Sequence, residues 1–392
     1  IWGQAATGTQ VSVGLPWTKT ASRASVAADS TWTATFATPE AGGPYELTIT
    51  QGKHRKIIKN VLIGEVWLCS GQSNMEMPIK GYEGQPVDGS IDAVATAKES
   101  VPIRIFDSDF VDGKLCVQYS RRPKDEIYGR WKTNAPENVA NCSATAYYFA
   151  RYLQNVLEVP VGIIVTAMGG ANIESWLPEE VLEKQFPNTD LGELKGNGPL
   201  KAVQHTPAVL YNARMHPLRD YKVRGFVWYQ GESNIGNASE YCDMLSAFVG
   251  HLRSVFEGGE KLPFLYVEIA PYNYGKGNLG ASLVRQQQAK ALEIIPNSGM
   301  ISTSDLGDRL IHPRNKPEFG RRLALLALTD VYGMKGLDSH APMYTSHEVK
   351  DGAAHISLSH ADNGLCPMWS QLEGFEVAGA DGEWHAANAS IR

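Results

Sequence analysis

The sequence predicts an α/β protein, a three-layer α/β/α arrangement on a parallel sheet with β-rich segments flanking it. Two observations predict it. Between residues 61 and 332, short apolar runs alternate with helical stretches, as when parallel strands are joined by right-handed crossovers. On either side of that region apolar and polar residues alternate with period two, as in half-buried strands.

Residues 1–60 read as a small β-sandwich. Val11-Ser12-Val13, the run Thr31 to Phe36 and the run Tyr45 to Thr50 alternate in that way, with a turn expected at Gly42-Gly43-Pro44. In region 61–332 the apolar runs are Val61–Leu68, Ile103–Phe106, Val161–Ala167, Gly225–Tyr229, Pro263–Ile269 and Met300–Thr303. Helices are expected at Ala144–Val156, Tyr241–Phe256, Val284–Ile294 and Lys316–Val331, the first capped by Ser143. Residues 333–392 return to alternation, in Ala354–Leu358 and Gly374–Ala378. They read as a second β region, expected to pack on the first.

The bulk numbers narrow the function classes. The 392 residues carry a net charge of −6, a pI of about 6.0 and 43% apolar residues. Nucleic-acid binding asks for a basic patch, and the densest basic run, Lys53 to Lys59, reads as a solvated hairpin face. No apolar stretch approaches the ~18 residues of a spanning helix. The five cysteines (Cys69, Cys116, Cys142, Cys242, Cys366) include no C-x-x-C, so a zinc or redox motif is not expected. Cys116 and Cys142 would be free to pair in an exported protein, whereas Cys69, at a strand end, reads as a small buried hydrophobe. The nine Trp and sixteen Tyr suit carbohydrate contact and core packing alike.

Acyl transfer at a serine needs a hydroxyl, a base, donors for the oxyanion and a group that orients the base. Four stretches supply candidates in order. Val66-Trp67-Leu68-Cys69-Ser70-Gly71-Gln72-Ser73-Asn74-Met75-Glu76 sets a hydroxyl, Ser73, two residues past the glycine that follows a strand. Open α/β sheets build their sites at such carboxyl ends. Val161 to Trp176 contains a second strand followed by Met168-Gly169-Gly170, where glycine permits a tight turn close to a ligand. Gly225-Phe226-Val227-Trp228-Tyr229-Gln230-Gly231-Glu232-Ser233-Asn234 is the third. Leu306 to Lys316 is the fourth, and holds His312 just before a helix. An imidazole with a pKa of about 6.5 suits proton shuttling near neutrality.

In that order, these blocks resemble the SGNH-hydrolase superfamily, and more closely its sialate O-acetylesterase-like family. The resemblance rests on Gly71-Gln72-Ser73-Asn74-Met75, on Trp228-Tyr229-Gln230-Gly231-Glu232-Ser233-Asn234 and on Ile311-His312-Pro313 followed by the Gly320-Arg321-Arg322-Leu323 helix. It spans most of the chain. It implies an SGNH, flavodoxin-like fold and a carbohydrate O-acetylesterase that is secreted or periplasmic. The start at Ile1, without a Met, is read as a leader that was removed or never included.

The resemblance also implies roles. Ser73 would be the nucleophile and His312 the general base. The N–H groups of Ser73 and Gly170, with the Gln230 side-chain amide, would hold the oxyanion, Asn234 being a second candidate. Gln72, Asn74 and Trp176 would contact substrate, Glu232 would either fix substrate or hold its neighbours, and Arg214 would contact substrate or, the favoured reading, form a structural ion pair. No metal or cofactor is expected, and the partner would be an acetylated glycan. The favoured substrate is 9-O-acetyl sialic acid, the alternative acetylated xylan or xyloglucan. A sialate carboxylate would need a cation such as Arg214, Arg285 or Arg314. A neutral polysaccharide would use aromatics such as Trp67, Trp176, Trp228, Tyr272 or Tyr274.

The fourth block departs from the family. SGNH relatives place an Asp two or three residues before the histidine, where this chain has Leu310 and Arg309. Asp308 is the first substitute, then Asp305. Otherwise the acid comes from elsewhere, or a Ser–His dyad acts with a backbone carbonyl holding the imidazole. The missing acid also leaves open a carbohydrate-binding protein that has lost activity.

Overall fold

Seven strands form the central sheet: β1 (Glu65–Gly71), β2 (Ile103–Asp107), β3 (Arg130–Thr133), β4 (Val161–Ala167), β5 (Gly225–Tyr229), β6 (Phe264–Val267) and β7 (Ser298–Ile301). Their spatial order is β3-β2-β4-β1-β5-β6-β7. All neighbours run parallel except β3, which pairs antiparallel with β2 at one edge. These features are those of a computed structural model, which describes residues 1–391 apart from 109, 112–113, 116, 276, 363, 366–371 and 373.

Every residue of β4 and of β5 is buried, as expected of strands covered on both faces. The β5 side chains show the two layers. Val227 and Tyr229 share a core with Phe149 of α2 (Ala144–Leu157) and Phe319 and Leu323 of α5 (Lys316–Asp330). Phe226 and Trp228 point the other way, toward Phe256 and toward Phe248 of α3 (Tyr241–Val255), with ring centroids 5.2 and 4.8 Å apart. A further helix, α4 (Gly280–Ile294), packs on α3. Local chemistry starts the helices as the sequence suggests. The Ser143 hydroxyl accepts the Ala146 N–H at 3.1 Å, and Asn315 does the same for Glu318 ahead of Pro317.

The run expected as one strand, Val61–Leu68, is two. His54–Ile63 pairs antiparallel with Gly42–Gln51, and β1 begins at Glu65 in the central sheet. Between them stands Gly64, where a Cβ would lie 2.0 Å from the Pro160 carbonyl oxygen. The apolar run hides this change of sheet because apolar residues continue across the join, from Val61-Leu62-Ile63 to Val66-Trp67-Leu68.

Residues 1–63 form a four-stranded antiparallel sheet and a two-stranded pair around Val11, Val13, Trp32 and Leu47. Gly42-Gly43-Pro44 does not turn the chain. It opens the strand Gly42–Gln51 and absorbs a register shift. The edge strand β3, Arg130-Trp131-Lys132-Thr133, carries no apolar run and escaped the periodicity reading.

The chain divides into two compact units, Ile1–Lys335 and Gly336–Arg392. The second holds two hairpins, Met343–Lys350 with Ala353–Ser359 and Glu376–Ala378 with Trp384–Ala386. Cys69, Cys142 and Cys242 are free and buried, so Cys142 is not in the disulfide considered for it. Cys116 and Cys366 lie outside the described residues. Among the described residues no helix is long and apolar enough to cross a membrane, and no cluster of His, Cys, Asp or Glu has metal-binding geometry.

Candidate active site

Register brings three strand ends together. Gly71 pairs with Ala167 of β4 on one side and with Tyr229 of β5 on the other. A Cβ on Gly71 would sit 2.0 Å from the Tyr229 carbonyl oxygen, and its φ is +143°. Only glycine permits this approach. The chain then turns, Gln72 N–H donating to Tyr229 O at 3.0 Å, and opens the one-turn helix α1 (Ser73–Glu76). Ser73 is half-buried between the buried Gln72 and Asn74, so of these three it alone opens outward.

The residue after Ser73 and the residue before His312 are hydrogen-bonded to each other. Asn74 Nδ2 donates to the Ile311 carbonyl at 3.1 Å and to Glu232 Oε1 at 2.6 Å. Lys316 Nζ donates to Asn74 Oδ1 and lies 5.4 and 5.1 Å from the ring centroids of Tyr229 and Phe319. Burial pushes the Lys316 ammonium down to about 7 despite the nearby Glu232, and raises the Glu232 carboxyl. A buried cluster of Asn74, Glu232 and Lys316 thus ties the first, third and fourth blocks together.

Around His312 the structure adds residues that the sequence reading did not single out. Tyr82 and Gln85 exchange backbone hydrogen bonds, both 3.0 Å, in a tight turn. The Tyr82 ring packs edge-on against the His312 ring at 5.3 Å, and its hydroxyl donates to Glu76 Oε2 at 3.0 Å. His312 Nδ1 stands 2.7 Å from Gln85 Oε1. Burial, helped by the Lys316 charge, pushes the imidazole pKa down to about 4. Nothing in the local sequence Gly84-Gln85-Pro86 singles out Gln85, since its contact with His312 spans 227 residues.

Gly170 has φ +71°. Neither its N–H nor that of Ser73 makes a hydrogen bond among the described residues. Gly169 N–H bonds the Glu76 carboxylate, whose pKa burial raises. A Cβ on Gly169 would lie 3.8 Å from Ser73 Cβ, so the glycine turn runs against the Ser73 turn. The arrangement offers a hydroxyl, two open backbone donors and an uncharged imidazole. The Ser73 hydroxyl makes no hydrogen bond among the described residues, only the Ser73 carbonyl being engaged, and His312 meets Gln85 through Nδ1.

Several expected roles need correction. Gln230 is fully buried, and both Nε2 protons are committed, to Ala171 O at 3.0 Å and Asn234 Oδ1 at 2.7 Å. Asn234 Nδ2 is likewise spent on Glu174 and Asn237. Neither amide is available to an oxyanion. Gln72 Oε1 accepts the N–H groups of Gly231 and Ser233, both at 3.2 Å, which makes it a brace between blocks and not a substrate contact. Asn74 and Glu232 are held in the buried cluster described above. Trp176 has no exposed surface and packs on Trp228 at 5.9 Å. Arg214 has none either, and donates to Gln118 O and Ala167 O. Trp67 and Trp228 are also buried in the core. Asp308 is engaged elsewhere: its oxygens accept from the Arg309 N–H and from Arg314 Nε, the latter at 2.9 Å. Asp305 pairs with Arg322.

Beside the glycine turn lies a cavity of about 550 Å³, lined in part by Asn172, Glu174, Asp190, Glu193, Lys201 and His205. His205 Nε2 is 3.1 Å from the Gly170 carbonyl oxygen.

Known proteins carry the same framework. The sialate O-acetylesterase of Mus musculus is 28% identical over 399 residues, covering 89% of this chain and 72% of that protein. The Homo sapiens sialate O-acetylesterase is 29% identical over 394 residues, covering 92% and 72%. The crystal structure of a carbohydrate acetylesterase from Xanthomonas citri superposes with a TM-score of 0.85 at 30% identity, over 100% of this chain and 85% of that one. The family model for carbohydrate esterase, sialic acid-specific acetylesterase, matches residues 63–329, a span that starts just before β1, ends in α5 and contains Ser73, Gly170, Gln85 and His312. With the strand-end serine, the open glycine turn and the histidine loop all inside that match, the chain belongs to the carbohydrate esterase family of sialic acid-specific acetylesterases and is a carboxylic ester hydrolase.

Proposed function

We propose that the chain removes O-acetyl groups from carbohydrate by a serine mechanism, with Ser73 as nucleophile and His312 as general base. The observation that carries this reading is the Asn74–Ile311 hydrogen bond, which joins the immediate neighbours of the two residues across 237 positions of sequence. Ser73 Oγ attacks the acetyl carbonyl as its proton passes to His312 Nε2. The N–H groups of Ser73 and Gly170 hold the oxyanion. The sugar oxygen leaves with the proton from His312, and an acetyl-enzyme remains. Water, deprotonated by the same imidazole, attacks that ester and releases acetate and free Ser73.

The substrate we favour is 9-O-acetylated sialic acid, a reading supported by the names of the curated relatives. One observation favours a second reading, a neutral acetylated polysaccharide. Glu174, Asp190, Glu193 and Glu240 line the cavity beside Gly170, with Lys201 as their counter-charge, and such a surface disfavours a sialate carboxylate. Acetate release from 9-O-acetyl sialic acid and from acetylated xylan or xyloglucan separates the two. Ser73→Ala is expected to lower turnover by at least about 1000-fold on whichever substrate is used. Hydrolysis that survives this substitution in a folded protein would remove Ser73 from the mechanism. A folded wild type that releases no acetate would favour a binding protein.

A further inference from the structure

The geometry points to Gln85 as the positioning residue that takes the place of the triad acid, its amide oxygen accepting the Nδ1 proton of His312 and leaving Nε2 free to face the serine. The inference rests on the serine-esterase reading above. It concerns a residue that neither the sequence pattern nor the family's usual Asp position points to.

Three contacts make the arrangement a built one. The Nδ1 to Oε1 separation of 2.7 Å is that of a good hydrogen bond. Gln85 is held at the end of the turn closed by the two Tyr82–Gln85 backbone bonds. Tyr82, from the same turn, supports the imidazole edge-on and anchors to Glu76 on the nucleophile helix. One short turn therefore fixes the tautomer, the ring plane and the link to the Ser73 segment. The two aspartates that precede His312 in its loop are occupied elsewhere, Asp308 with Arg314 and Asp305 with Arg322.

An amide differs from a carboxylate in one consequence. It orients the imidazole but brings no negative charge to stabilise the imidazolium that forms when Ser73 gives up its proton. The proton rests on Nε2, while the Nδ1 proton stays on Nδ1 and is shared with the amide oxygen. Burial is the main force against charge on the imidazole, the buried Lys316 ammonium from α5 adds to it, and the Tyr82 hydroxyl beside the ring is held by Glu76. Asp308 and Arg314 in its own loop are paired with each other. With a carboxylate absent from Nδ1, the base stays unprotonated far into acid, and the acid limb of kcat/KM is expected near pH 4.

The test uses the full chain and three proteins: wild type, Gln85→Ala and Gln85→Glu. Gln85→Ala is expected to lower kcat by about 100-fold with little change in KM, because the base loses its orientation. Gln85→Glu keeps an acceptor and adds a charge, so it should retain turnover within about 10-fold of wild type while moving the acid limb up by about 1–3 pH units. A residue with only a structural role would shift the melting temperature and leave the pH profile in place. Nitrogen-15 spectra of the His312 ring give a readout independent of turnover: wild type should show Nδ1 protonated. A wild-type ring protonated on Nε2 at neutral pH, or a Gln85→Ala protein with unchanged kcat and unchanged titration, would overturn the inference. If no ester is cleaved, the serine-esterase reading fails on its own account and the ring spectra still decide the Gln85 contact.

Discussion

At the residue scale, the open and the buried polar groups of the site divide the labour. Ser73, Gly170, Tyr82, Gln85 and His312 are half-buried, whereas Gln72, Asn74, Arg214, Gln230 and Glu232 are buried with their side chains hydrogen-bonded inside the protein. Motif blocks contain both kinds, and sequence does not separate them, because an amide that braces a turn and an amide that binds an oxyanion are the same residue. Gln230 makes the point testable. Its side chain satisfies Ala171 O, Asn234 Oδ1 and the Tyr241 hydroxyl, which donates to its Oε1 at 2.9 Å. Gln230→Ala leaves the buried Ala171 carbonyl without its partner, at about 1–3 kcal/mol, and opens a cavity, while Asn234 Oδ1 keeps the Ile173 N–H and the Tyr241 hydroxyl keeps the backbone carbonyl of residue 230. The expected outcome is a large drop in melting temperature. At a temperature where the variant is folded, turnover should remain within about 10-fold of wild type, whereas loss of an oxyanion donor costs about 100- to 1000-fold. An unchanged melting temperature with a loss of that size would return Gln230 to the oxyanion hole.

At the element scale, the strands and helices of the central region were legible wherever period and length agreed. The runs at Val161–Ala167 and Gly225–Tyr229 are strands with those same bounds, and the helix expected at Lys316–Val331 runs Lys316–Asp330. Ser143 caps its helix as its residue type suggests. What escaped was contact between distant segments. The split at Gly64 depends on the Pro160 carbonyl, 96 positions on, and the turn that presents Gln85 to His312 has no apolar pattern of its own. The strand that leads to Ser73 depends on distant contact in the same way. Gly71 opens the Gly71–Met75 motif, but the motif does not say why a glycine stands there: the Tyr229 carbonyl leaves no room for a methyl group, and the backbone lies at φ +143°. Gly71→Ala must therefore push β1 from β5 at the point where Ser73 is presented. Loss of at least about 3 kcal/mol is expected, from strain and lost pairing together. The check is soluble yield and melting temperature. A variant as stable as wild type would mean that the two strands part at their ends without cost.

At the scale of the whole molecule, everything assigned to the chemistry lies in the first of the two units. Ser73, Gln85, Gly170 and His312 all precede Lys335, as do the buried braces Asn74, Glu232 and Lys316. The second unit, Gly336–Arg392, contributes hairpins whose strands are mostly exposed, with Trp384 at 68% and Val349 at 74%. Large exposed apolar residues on strands are a common mark of a surface that meets something else. A chain ending at Lys335 is therefore expected to fold and to cleave a small soluble acetyl ester with kcat/KM within a few-fold of the full chain. Acting on a long acetylated polysaccharide is a separate matter, because a surface that binds the chain raises its local concentration at the site. The comparison is full chain against residues 1–335 on both kinds of substrate. Equal loss on both would mean that the second unit supports the hydrolase fold itself. Loss confined to the polymer would assign the hairpins to glycan binding. Equal retention on both would leave them without a part in catalysis.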